Sequence, residues 1–266
     1  MASENEGLDM GPTIAWYEQN RAFCIDGIPK PDVTPFPFKI KNSENIHLSE
    51  WELSALFQKF PEESRFRIRQ LLDEIVGKPS AWFKENPLTA KADPTTTDKL
   101  QAISPAAIIP SYTDYAKWTK ENPAADIVLY KIDESACSHD VRKIIHAEGF
   151  VHELAHVLLA PAQYVGDCRI EMPDRRVLSG DECIEEFANL AEKHPPISSY
   201  SSNYREGHKF AGNLSTSISE EFAETVAAML LGFSFCGDDS RSKAPLKDRA
   251  DVDAWVYNLL NAKRVD

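Results

Sequence analysis

The chain has 266 residues with a formal net charge of −13; 42% of the residues are hydrophobic and 27% charged. That composition allows one large domain or two small ones with a sizeable core, and an acidic surface repels phosphates, which argues against a nucleic-acid partner. Five cysteines, an odd number with no C-x-x-C spacing, argue against a disulfide framework or a cysteine zinc cluster and fit a reducing compartment.

The opening "MASENEGLDMGPT" lacks the basic flank and apolar run of a Sec-type signal. No stretch approaches the length of a membrane span. The expected location is the cytoplasm, or another cell into which the protein is delivered as an effector, with no membrane partner.

Residues 1–45 are polar and proline-containing, and predict an extended arm lying on the body. Helical signals begin at "SEWELSALFQKF", where Ser49 and Glu52 have capping-box spacing. Pro61 suits the first turn of a second helix, "PEESRFRIRQLLDEIVG", with Gly77 as its stop and Phe66, Ile68, Leu71, Leu72, Ile75 and Val76 on its buried face. Residues 86–124 are loop-rich, with a short helix expected at "SYTDYAKWTKEN". The β-branched run "ADIVLYKID" at 125–133 predicts a strand. "SHDVRKIIHAEGFVHELAHVLLAP" predicts a helix ending at Pro161, and "GDECIEEFANLAEKH" another, ended by Pro195. A polar loop at 196–219 leads into "SEEFAETVAAMLLGF", with Ser217 or Ser219 as N-cap, and "RADVDAWVYNLLNAKR" closes the chain as a helix. The expected fold is α+β and helix-dominant: an arm (1–45), a helical N-terminal region packed on the rest (46–124), and a catalytic region (125–266).

Chemistry concentrates in His152-Glu153-Leu154-Ala155-His156. Residues four apart share one helix face, so His152 and His156 aim two imidazoles at one point, with Glu153 beside it. That suits zinc held by two histidines, with Glu153 as general base toward zinc-bound water. Composition alone produces such a string in about one or two chains per hundred of this length, so context must decide. Ile144, Ile145, Phe150, Val151, Val157 and Leu158 surround the motif. Two histidines and a glutamate in so apolar a segment are costly to bury without partners, and zinc would be that partner. His146, six residues before His152, has no ligand spacing and is expected to be a core or rim histidine.

A third ligand must come from elsewhere. Metzincins continue the motif with Gly and His where this chain has Leu159 and Ala162. The strings "EEFAN" at 185–189 and "EEFAE" at 220–224 both offer glutamates. Glu220 is preferred, because Glu224 stands four residues on and can accept the N–H of a ligating histidine. Glu185, Glu221 and Asp167 are the alternatives.

These residues resemble the gluzincins, zinc peptidases with a HExxH helix and a glutamate ligand on a later helix. "SEEFAETVAAML" is similar to that later helix in lethal-factor catalytic domains, Pro-Pro endopeptidases and MtfA-like peptidases. There the ligand stands three residues before the alanine of an E-x-F-A string; Ala223 is that alanine here, which implies Glu220, and Glu224 also has a counterpart. Lethal-factor-like enzymes carry an oxyanion-stabilising tyrosine seven residues before the ligand, where this chain has Asn213. Tyr204, Tyr200 or His208 in the preceding loop is expected to take that role, with Tyr204 preferred and His208 next. The resemblance covers 125–235 at most.

The expectation is therefore a zincin-like metalloendopeptidase with one Zn²⁺ per chain, acting on a protein or peptide as a toxin-like effector or a specific processing enzyme. Strand 125–133 is expected to offer its edge to the substrate. The alternatives are a zincin-fold binding or sensor module with structural or no zinc, and a metal-free helical interaction protein. Glu153 speaks for the enzyme, since a structural zinc site gains nothing from it.

Overall fold

A computed structural model describes residues 36–79, 106–110, 125–132, 134, 138–165, 167–197, 214–231 and 249–265. In chain order the elements are β1 (Lys39–Lys41), α1 (Glu50–Gln58), α2 (Glu62–Leu71), β2 (Leu72–Lys78), β3 (Ala106–Pro110), β4 (Ala125–Tyr130), α3 (His139–Tyr164), β5 (Arg169–Glu171), β6 (Val177–Ser179), α4 (Gly180–Ala191), α5 (Leu214–Leu231), α6 (Ala250–Leu260) and β7 (Lys263–Arg264). The architecture is α+β and helix-rich, as expected.

The branched, apolar β4 lies inside a four-stranded sheet of order β1-β2-β4-β3. It pairs in parallel with β2 (Ile75 opposite Ile127) and antiparallel with β3 (Ile108 opposite Ile127). Strand alternation sends Ile127 and Leu129 to the large buried cluster that also holds Ile144, Val151 and Leu154 of α3. Val128 and Tyr130 form a small separate cluster with Val76. Because β4 is paired on both sides, it has no edge to offer a substrate, and that expectation fails. Among the described residues the antiparallel edge strand is β3, inside the stretch expected to be loop; α3 lies across both β3 and β4.

The second predicted helix is half helix and half strand. α2 stops at Leu71, and Leu72–Lys78 becomes β2, held between β1 and β4. Gly77 is therefore no helix stop. It sits in the strand because any side chain there would collide with the Asn42 carbonyl. Phe66, expected on the buried face, is 56% exposed. The arm enters the core: Phe36 and Phe38 pack edge-on and reach Phe57, and Phe36 also meets Phe150 of α3. One buried cluster thus runs from Phe36 to Ala262, joining the N-terminal and C-terminal parts of the described chain.

One cap falls where the sequence placed it, and another was not expected. Ser49 and Glu52 form a capping box on α1, and Glu52 also ties α1 to Lys143 of α3 at 2.7 Å. Ser138 caps α3 through the Val141 N–H. α3 runs past Pro161 to Tyr164, since proline near a helix end removes only one backbone bond. α5 begins at Leu214, so Ser217 and Ser219 lie inside it rather than capping it. The last predicted helix ends at Leu260, and Lys263–Arg264 instead pairs with β5 in a small β6-β5-β7 sheet. Trp255 is buried in the core, whereas Trp51 is 43% exposed. The short helix expected at 111–122 lies outside the described residues.

Candidate metal centre

α3 is apolar nearly all round because it is the central element, covered by the sheet on one side and by α1, α2, α4 and α5 elsewhere. His152 and His156 project from one face of it, one turn apart. α5 crosses that face with Phe222 and Ala223 buried, which aims Glu220 at the same point. Phe187 of α4 holds α5 in place, stacking edge-on with Phe222 at 5.5 Å and against Trp255 of α6 at 5.3 Å. A buried ion pair, Arg249 Nη2 to Glu221 Oε1 at 2.8 Å, ties α5 to the start of α6 beside Glu220.

Three ligand atoms converge. His156 Nε2 is 3.0 Å from His152 Nε2, His152 Nε2 is 3.2 Å from Glu220 Oε2, and His156 Nε2 is 3.4 Å from the same oxygen. Ligands at about 2.05 Å from a tetrahedral zinc are separated by about 3.3 Å, so this triangle has the size of one tetrahedral face. Two ring nitrogens at 3.0 Å can share one proton between them at most, whereas a cation can satisfy both lone pairs. Two nitrogens and one carboxylate oxygen are also a donor set that suits zinc. The residues present therefore fit the ion.

The electrostatics agree. Burial disfavours the charged form of His152, but the hydrogen bond to Glu220 and the charges of Glu153, Glu220 and Glu148 outweigh it and raise its pKa to about 10. Burial likewise disfavours the Glu220 carboxylate, yet His156 and His152 hold it well below the usual carboxylate range. The pocket thus gathers negative potential around two imidazoles, a field that favours a cation.

Glu153 is buried beside the triangle and Glu224 is buried one turn beyond Glu220. The other ligand candidates go elsewhere. Glu221 pairs with Arg249, Asp167 is exposed in the turn before β5, and Glu185 is exposed on α4. His146 is a buried core histidine, joined to the His47 N–H and the Tyr130 carbonyl. Tyr200, Tyr204, His208 and Asn213 lie outside the described residues.

Two residues near the site escaped the sequence reading. Glu148 is buried one turn before His152, and its Oε1 has no hydrogen-bond partner among the described residues. Burial pushes its pKa up to about 7; His152 opposes the shift and Glu153 adds to it. Its i, i+4 spacing to His152 was a usable signal. Tyr130 is buried at the end of β4, and burial together with the Glu153 charge raises its pKa well above that of an ordinary phenol. No local pattern marked it. No helix among the described residues is long and apolar enough to cross a membrane. No protein family, curated protein or solved structure matches the chain.

Proposed function

We propose that the chain is a zinc-dependent metalloendopeptidase of the gluzincin kind, in which His152, His156 and Glu220 hold the metal. The observation that carries the reading is the triangle of ligand atoms, 3.0 to 3.4 Å on a side, with a buried carboxylate, Glu153, beside it. A zinc ion held there would polarise a peptide carbonyl and ease deprotonation of water. Glu153 takes the proton from the attacking water and passes it to the leaving amine. Glu224 steadies the ligand set from α5. Tyr204, or His208 after it, donates a hydrogen bond to the developing oxyanion. Strand β3, the edge strand against α3, offers backbone groups to an extended substrate in place of β4.

Glu153 also separates this reading from a binding or sensor module, in which a buried carboxylate beside the ligands would be a cost without a use. The test is Glu153→Gln, which removes the base and leaves both histidines. Mapping of new protein N-termini in cell lysate should show cleavage by the wild type. The variant should lose activity by several orders of magnitude while retaining fold and zinc. Full activity in the variant would contradict the mechanism.

A further inference from the structure

Glu185, passed over as a ligand, stands in a groove of about 420 Å³ between the end of α3 and one face of α4. Ala162, Ile184 and Ala188 form an apolar floor, and Gln163, Asp181, Glu185, Asn189 and Glu192 form the walls. The α4 residues follow helical spacing, so they make one stripe along the helix, about 16 Å from Asp181 to Glu192. That length accommodates about five residues of extended chain. Gln163 follows His156 by seven residues, which places it on the same side of α3 about 10 Å further along.

Among the described residues no cation pairs with the carboxylates of this stripe. On the rest of α4, Glu182 closes the capping box with Ser179, and Glu186 binds Arg176 and the Trp255 N–H. Asp181, Glu185 and Glu192 are exposed, and their carboxylates make no hydrogen bond or ion pair among the described residues. Three unpaired carboxylates over an apolar floor match a lysine or arginine side chain, whose aliphatic stem covers the floor while its cationic head meets the rim.

We propose that this groove seats a basic, extended segment of the substrate, with a lysine or arginine about three residues from the bond to be cleaved. The separation follows from the distance of about 10 Å between His156 and Gln163 and the rise of about 3.3 Å per extended residue. The inference rests on the peptidase reading for its register, but the groove's preference for basic peptide is measurable without catalysis.

The experiment uses the full chain carrying Glu153→Gln, loaded with zinc, and fluorescein-labelled dodecapeptides that differ only in having Lys and Arg or Gln at the basic positions. Fluorescence anisotropy should show the basic peptide binding about three- to tenfold tighter. Adding Glu185→Gln and Glu192→Gln should erase that difference. Adding Glu50→Gln and Glu62→Gln, which removes the same charge from α1 and α2, should keep it. Equal affinity for both peptides, or a difference that survives the groove substitutions, would overturn the proposal. Hydrolysis by the wild type, followed on the same peptides, keeps the two readings apart. Cleavage indifferent to the basic residues overturns the groove alone. Groove-dependent binding without cleavage supports the groove and contradicts the peptidase reading.

Discussion

Replacing His146 with alanine should be among the most damaging single substitutions outside the candidate centre. The imidazole is fully buried where α3 meets β4 and the segment after β1. Its Nδ1 accepts the His47 N–H at 3.0 Å, and its Nε2 donates to the Tyr130 carbonyl at 2.8 Å. Alanine abandons both backbone groups, at about 1–3 kcal/mol each, and opens a cavity, so a loss of about 3–6 kcal/mol is expected. The bond from His47 requires a neutral ring, because a protonated Nδ1 cannot accept. Burial lowers the pKa from 6.5 to about 3, against the pull of the Tyr130 carbonyl and with help from His47. Between those values the unfolded chain binds the extra proton. The stability contribution is therefore complete above about pH 6.5 and is lost as pH falls toward 3. From pH 7.5 to 5.0 the wild type should lose about 2 kcal/mol through this residue. Urea unfolding of wild type, His146→Ala and His146→Gln at both pH values measures each quantity. Glutamine can still donate and accept but does not titrate, so its pH dependence should be flatter by that amount. An alanine variant less than about 1 kcal/mol below wild type, or identical pH dependence in the glutamine variant and wild type, would refute the reasoning.

Arg249→Met should destabilise the fold by about 3–5 kcal/mol in denaturant titration, because it takes the guanidinium away from the buried Glu221 carboxylate. The double variant Arg249→Met/Glu221→Met should recover most of that loss, since Arg249 Nε and Nη1 have no hydrogen-bond partner among the described residues. Tyr204→Phe should lower kcat about ten- to a thousandfold in steady-state kinetics with zinc content unchanged, as expected for one lost donor to the oxyanion.

The site helix was legible because its information is local. His152, Glu153 and His156 carry their geometry in helical spacing, and the apolar residues around them announce burial on all sides. Glu220 was legible from a short string whose alanine and phenylalanine are the residues packed beneath it. What failed depended on distant pairing. "LDEIVGK" continues the apolar spacing of α2, and only parallel pairing with β1 and β4 makes it a strand. β4 looked like a cleft border because nothing in its own residues reveals that "AAIIP" occupies its second edge. Arg249 lies 28 residues from Glu221, with no spacing rule to connect them. Glu148 could have been found, since it stands four residues before His152 on the same helix.

Metal content of the purified protein tests the central claim most directly. Elemental analysis should find about one zinc per chain in the wild type and in Glu185→Ala, and none in Glu220→Ala, because among the described residues Glu220 is the carboxylate that joins the two histidine nitrogens. A wild type without zinc, or loss of zinc in Glu185→Ala but not in Glu220→Ala, would contradict the account.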